Sequence, residues 1–334
     1  MQKMMVKSKK NLMEKKFKIH FFKIILIIIL EFFNLKRYIN NNSKQISFQN
    51  SLGHNQGYHP KIVFFNNLWN GYKYWMAFTP YPYGDETKEN PIINVSNDLK
   101  TWISPKGLHN PLDIPLICNK NHYNSDTHLL FNNETNELQL FWRYVNDVEN
   151  KVIIYIIKSK NGIKWNKKEV FIKSDNRKKL DFVSPVINYY DNIYKIWYVN
   201  HKQIYYLEKK GNYFSEPRII NINYDNNYHT WHIDLIYNTD KNLYELITCA
   251  YKKKIVNMPL FYISSENNIK WSIPIKILKP SKEKNKFDSD SLYRSSLIYE
   301  NGIYYLLYSA RNKYLEVGIG IMYGKDITKL NPFI

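Results

Sequence analysis

One short unit recurs along this chain and limits its fold more than any other feature. It consists of a Ser, an Asn- or Asp-containing turn, and a Trp six residues after the Ser. The clear copies occupy residues 96–102, 159–165 and 265–271, and weaker copies occupy 208–214 and 324–330. Their five starts lie 63, 49, 57 and 59 residues apart. Asn, Asp and Gly tolerate the positive φ of a tight hairpin, and the Trp can cover the hairpin below.

A second unit occurs once per repeat, as a polar residue followed by a short apolar strand ending in an aromatic. The copies begin at His59-Pro60, Asp126-Thr127, Ser184-Pro185, His232-Ile233 and Arg294-Ser295. Each is followed by an aromatic-rich segment, over 74–79, 138–143, 194–199, 244–249 and 304–309. A third strand then leads into the Ser-to-Trp unit. Three or four short strands repeated every 50–65 residues describe the blades of a propeller. The expected fold class is therefore all-β: a five-bladed β-propeller over residues 45–334, preceded by a short hydrophobic and basic leader over 1–44. The last repeat leaves little chain for a fourth strand, so the alternating segment 45–49 is expected to complete the fifth blade and close the ring.

Composition agrees. Aromatics make up 16% of the 334 residues, with 29 Tyr and only 11 Gly, which favours strands over helices. No G-x-G-x-x-G or G-x-x-x-x-G-K-[ST] occurs, which excludes the usual nucleotide-binding α/β folds. The net charge of +19 divides unevenly, since residues 1–50 carry +9 of it and the rest is dispersed. A nucleic-acid binder concentrates basic residues on one face or in one motif, so no nucleic-acid partner is expected. In the leader a Lys-rich stretch precedes the apolar run 24–30, the pattern of a signal peptide or signal anchor. Secretion, or tethering to the membrane through this segment, is expected of a monomer. Cys118 and Cys249 form no metal motif.

The repeats resemble the five-bladed propellers of the arabinanase, invertase and levansucrase group, and most of all glycoside hydrolase family 43. The resemblance rests on His59-Pro60 opening the first inner strand, on Gly302-Ile303-Tyr304-Tyr305-Leu306-Leu307-Tyr308-Ser309, and on the copy at 96–102. It implies a carbohydrate-active enzyme with an oligo- or polysaccharide partner. The family resembled has an Asp where this chain has His59, and a catalytic Glu on a later blade; no aligned inner strand here begins with Glu. The chain is thus divergent at the catalytic positions.

Glycoside cleavage needs a proton donor and a second carboxylate flanking the bond. Asp126 and Asp234 are the carboxylates near aligned inner-strand starts and form the expected catalytic pair, with Asp234 as acid and Glu89 in reserve. His59, His128, His232, Arg294, Arg143 and Tyr81 are expected to bind substrate. The three His residues are read as orienting sugar hydroxyls, tuning the carboxylates or binding a channel metal; no cofactor is expected. The competing reading makes the same set a network that only holds the blades together. Glycosidase-like hydrolysis leads. A glycan-binding module without catalysis and a phosphate-dependent glycoside phosphorylase, using Asp126 with Lys61, His232, Arg143 and Arg294, are the alternatives.

Overall fold

A computed structural model describes residues 43–48, 52, 55–225, 227–254 and 256–334; residues 1–42 of the leader lie outside the described residues. Five antiparallel meanders form the five blades. Their inner strands are Gly57–Trp69, His122–Asn132, Val183–Tyr190, His229–Asn238 and Ser291–Glu300. The second strands are Tyr72–Pro80, Glu137–Asn146, Ile193–Asn200, Leu243–Tyr251 and Ile303–Arg311. Among the described residues no helix is long and apolar enough to cross a membrane.

The Ser-to-Trp unit is a hydrogen-bonded loop between third and fourth strands. Ser96 Oγ accepts from the backbone N–H of Asp98 and Leu99, and Asp98 Oδ1 accepts from those of Lys100 and Thr101. Trp102 then donates its indole N–H to the Leu99 carbonyl. Ser159, Asn161 and Trp165 repeat the same bonds. The fourth residue of the unit is left-handed in all three clear copies, with φ of 63° at Leu99, 72° at Gly162 and 57° at Asn268. Glycine suits the second copy for a further reason: a Cβ on Gly162 would lie 2.1 Å from the Trp75 ring.

Apolar faces pack between neighbouring blades. Trp75, Val95, Leu140 and Trp142 fill the seam between blades one and two, and Phe141, Ile154, Ile187 and Tyr198 the next. Nearer the axis the seams are polar, and each is stitched in the same way. Thr127 Oγ1 donates to the His59 carbonyl, and His128 Nε2 lies 2.7 Å from the Ile187 carbonyl. Ser184 Oγ donates to the Ile233 carbonyl and accepts from its N–H. Asp234 accepts from Leu297 N–H, and Ser296 Oγ accepts from Ile62 N–H. An inner strand thus presents backbone groups that no strand of its own blade satisfies, and a side chain from the next blade supplies the partner.

Ring closure differs in detail from the sequence expectation. The fifth blade does form a fourth strand of its own, the two-residue Asn331–Pro332, which pairs only with Met322 and Tyr323. The rest of that third-strand edge is covered by the N-terminal segment: Gln45 bridges Gly320, and Ile46 N–H donates to the Ile319 carbonyl. The chain then crosses the seam, and Ser47–Phe48 pairs in parallel with Thr101–Trp102 of the first blade. Residues 45–46 and 331–332 therefore share the closing edge.

Two predictions follow from buried charge. Lys61 of blade one and Asp234 of blade four form an ion pair of 2.6 Å deep in the channel. Lys61→Met should lower unfolding free energy by about 3–5 kcal/mol, because it strands a buried carboxylate. Lys61→Met with Asp234→Asn should cost less than Lys61→Met alone in urea titrations, since the amide oxygen still accepts from Leu297. Near the closing seam, burial pushes the Asp288 carboxyl up to about 6, against the hydrogen bond it accepts from Tyr308. The folded state therefore favours the protonated acid. This contribution is present below about pH 4 and is lost as pH rises through about 6. Asp288→Asn should flatten that part of the stability profile; an unchanged profile would remove Asp288 as its source.

Candidate active site

The chain brings polar side chains to the channel mouth by bulging every inner strand at its start. Register shifts fall between Tyr58 and Lys61, Ser125 and His128, Val183 and Val186, Thr230 and His232, and Leu292 and Ser295. The unpaired residues inside these bulges include His59, Asp126, Ser184, Trp231 and Arg294. His59, Asp126 and Ser184 occupy the left-handed region, with φ of 53°, 48° and 53°. Such a conformation is costly for a residue with a Cβ, and bulges re-aim side chains next to functional sites.

The result is a buried cluster. His59 Nε2 lies 3.6 Å and His232 Nδ1 3.5 Å from Asp126 Oδ1, and one ligand atom from each of the three lies within 4.8 Å of the others. Arg294 reaches the same oxygen at 3.4 Å and donates to the Pro185 carbonyl at 2.6 Å. On the far side of His59, Nδ1 is 3.0 Å from Thr79 Oγ1 and 3.2 Å from Glu89 Oε2. Glu89 Oε2 is otherwise without a hydrogen-bond partner, and so is His232 Nε2, while His232 Nδ1 faces only Asp126.

Burial sets the charges. By itself it would raise the Asp126 carboxyl, but His59, His232 and Arg294 hold it well below the usual carboxylate range. Burial pushes His232 below its ordinary value against the pull of Asp126, leaving a neutral imidazole. Burial raises Glu89, with His59 opposing. An ionised carboxylate, a neutral imidazole turned toward it and a second imidazole in reach make a donor set that suits a divalent cation of the zinc or iron type. His59, Asp126 and His232 would hold it. Glu89 and Thr79 are placed to fix the His59 ring, as outer-shell partners of metal ligands do.

Aromatic rings wall the cluster. Tyr293 lies over His232 at 4.1 Å and stacks on Tyr58 at 4.4 Å, while Trp231 donates to the Tyr293 hydroxyl. Tyr81 follows at 5.3 Å from Tyr58. Three of these rings, Tyr58, Trp231 and Tyr293, stand one residue before the polar positions His59, His232 and Arg294. Reading that column one residue earlier would have found them.

The structure divides the residues expected at the site. His59, Asp126, His232, Arg294 and Glu89 come together, with Tyr81 on the aromatic wall. Asp234 does not join them as a free acid, because one oxygen is paired with Lys61 and the other accepts from Leu297 N–H. His128 faces away along the seam to Ile187. Arg143 is held by Asp181 and Ser125. Lys61, Arg143 and Arg294 are thus each committed to an acceptor of the protein.

No family model matches the chain. It is 25% identical over 294 residues to the A type blood N-acetyl-α-D-galactosamine deacetylase of Flavonifractor plautii, covering 73% of this chain and 38% of that protein. The chain thus spans well under half the length of the curated relative it matches. A crystal structure of an N-acetylgalactosamine deacetylase from F. plautii, in complex with blood group B trisaccharide, superposes with a TM-score of 0.75 at 20% identity, over 88% of this chain and 96% of that one. A thermostable family-43 glycoside hydrolase gives 0.60 at 14% identity over 89% and 96%. An exo-1,5-α-L-arabinanase from a bovine ruminal metagenomic library gives 0.56 at 12% over 81% and 94%. The chain is a five-bladed propeller, similar in fold to arabinanases and to family 43 glycoside hydrolases.

Proposed function

We propose that the protein is a carbohydrate deacetylase, hydrolysing the N-acetyl group of a sugar with the help of a divalent cation held by His59, Asp126 and His232. The observation that carries this reading is the identity of the buried trio. Two imidazoles converge on one ionised carboxylate where a glycosidase needs two carboxyl groups flanking a bond. Asp126 cannot serve as a proton donor while three neighbouring groups hold it ionised, and Asp234 is occupied by Lys61. Asp126 and Glu89 have the His59 ring between them, leaving no room there for a glycosidic oxygen. The similarity to an N-acetyl-α-D-galactosamine deacetylase supports the same reading.

The reaction breaks the amide C–N bond; water adds to the acyl carbon and a proton goes to the departing amine. A bound divalent cation supplies Lewis acidity at the amide carbonyl. Glu89 Oε2, 3.2 Å from His59 Nδ1, accepts from that nitrogen and so keeps Nε2 turned toward Asp126. Arg294 keeps Asp126 charged and fixed. Tyr81 and Tyr293, backed by the buried Tyr58, offer rings on which a sugar can stack, with Trp231 fixing the Tyr293 hydroxyl.

The test is acetate release from an N-acetyl-α-D-galactosaminide, with reducing-sugar release measured in parallel. Acetate should appear without glycosidic cleavage, should stop on chelation and should return with added divalent metal. Asp126→Asn and His232→Ala should abolish it, and Glu89→Gln should lower it by roughly 10–100-fold. Cleavage of the glycosidic bond with the acetyl group intact would return the protein to the glycosidase reading. Sugar binding without any turnover would make it a glycan-binding module.

A further inference from the structure

The channel is blocked at mid-depth by Arg294, Asp234 and Lys61. Beyond that block, where the inner strands turn into the second strands, a cavity of about 760 Å³ opens on the face opposite the buried trio. Its volume falls in the range of about 300–1,000 Å³ usual for small-molecule sites. Three successive blades contribute amides to it, Asn66, Asn133 and Asn188, and aromatic faces come from Tyr189, Tyr190 and Tyr237.

We infer that this rear cavity is a second binding site, for a neutral pyranose unit of a glycan. Amides and phenols both donate and accept, which matches sugar hydroxyls, and the exposed rings of Tyr190 and Tyr237 offer faces for stacking on a pyranose. Tyr190 and Tyr237 are 65% and 43% exposed, more than ring packing within a blade requires. The lining carries no carboxylate. Of its two cations, Lys61 is neutralised by Asp234, and Lys195 lies 5.8 Å from the centre of the Tyr190 ring. Apart from these two lysines and His128 the polar lining is amide, phenol and hydroxyl, which suits a neutral ligand. His128 also belongs to the lining, and its Nδ1 has no hydrogen-bond partner, while its Nε2 is taken by the Ile187 carbonyl. This site would hold a glycan without involving the trio, and the inference stands apart from the deacetylase reading.

The experiment is titration calorimetry and saturation-transfer NMR on the full chain, using methyl α-D-galactopyranoside, methyl α-D-glucopyranoside, galactose 6-sulfate and inorganic phosphate. At least one neutral glycoside should bind the wild type and should bind His232→Ala equally well. Tyr190→Ala/Tyr237→Ala should weaken that binding at least tenfold with an unchanged melting temperature. Asn188→Asp serves as a second variant should the double substitution fail to fold, and it should weaken binding likewise. The inference is overturned by loss of all sugar binding in His232→Ala or by undiminished binding in the rear variants. It is equally overturned if the wild type binds no neutral glycoside, or only the sulfated sugar or phosphate.

Discussion

The structure depends on one constraint, that every seam of the ring must satisfy inner-strand backbone groups left unpaired by its own blade. Five side chains do this, Thr127, His128, Ser184, Asp234 and Ser296, each bonded to the backbone of a neighbouring blade. The stitching explains why the inner strands begin with polar residues although those residues are buried. Buried donors and acceptors without partners are costly, so polarity there is first a requirement of closure. Only polar groups beyond that requirement are available for chemistry.

That division separates two sets of residues that look alike in the sequence. Asp126 and Asp234 both sit near inner-strand starts, yet one is inside a bulge and the other two residues past His232. The bulge turns Asp126 toward His59, His232 and Arg294. Regular pairing turns Asp234 across the seam to Leu297 and Lys61. The same holds for the histidines: His59 and His232 converge on Asp126, whereas His128 closes the seam to Ile187.

The blade count, the inner-strand starts and the Ser-to-Trp loops were legible in the sequence because each is local and repeated. Ser96, Asp98 and Trp102 bond within seven residues, so their spacing records their structure. The shared closing edge was half legible: residues 45–46 do cover the third strand of the fifth blade, but Asn331–Pro332 covers part of it too. The roles of Asp234 and His128 were not legible, since they are decided by residues on other blades, 63 and 59 positions away. Of the aromatic wall only Tyr81 was expected; Tyr58, Trp231 and Tyr293 were missed because they stand one residue before the polar starts.

The account turns on whether His59, Asp126 and His232 form a metal centre in place of a carboxylate pair. Metal analysis of the purified protein with X-ray absorption spectroscopy at the metal edge tests this most directly. The predicted result is one divalent ion per chain in a first shell of two imidazole nitrogens and oxygen ligands, lost in Asp126→Ala. A protein that takes up no divalent metal, or binds it unchanged after that substitution, would contradict the account.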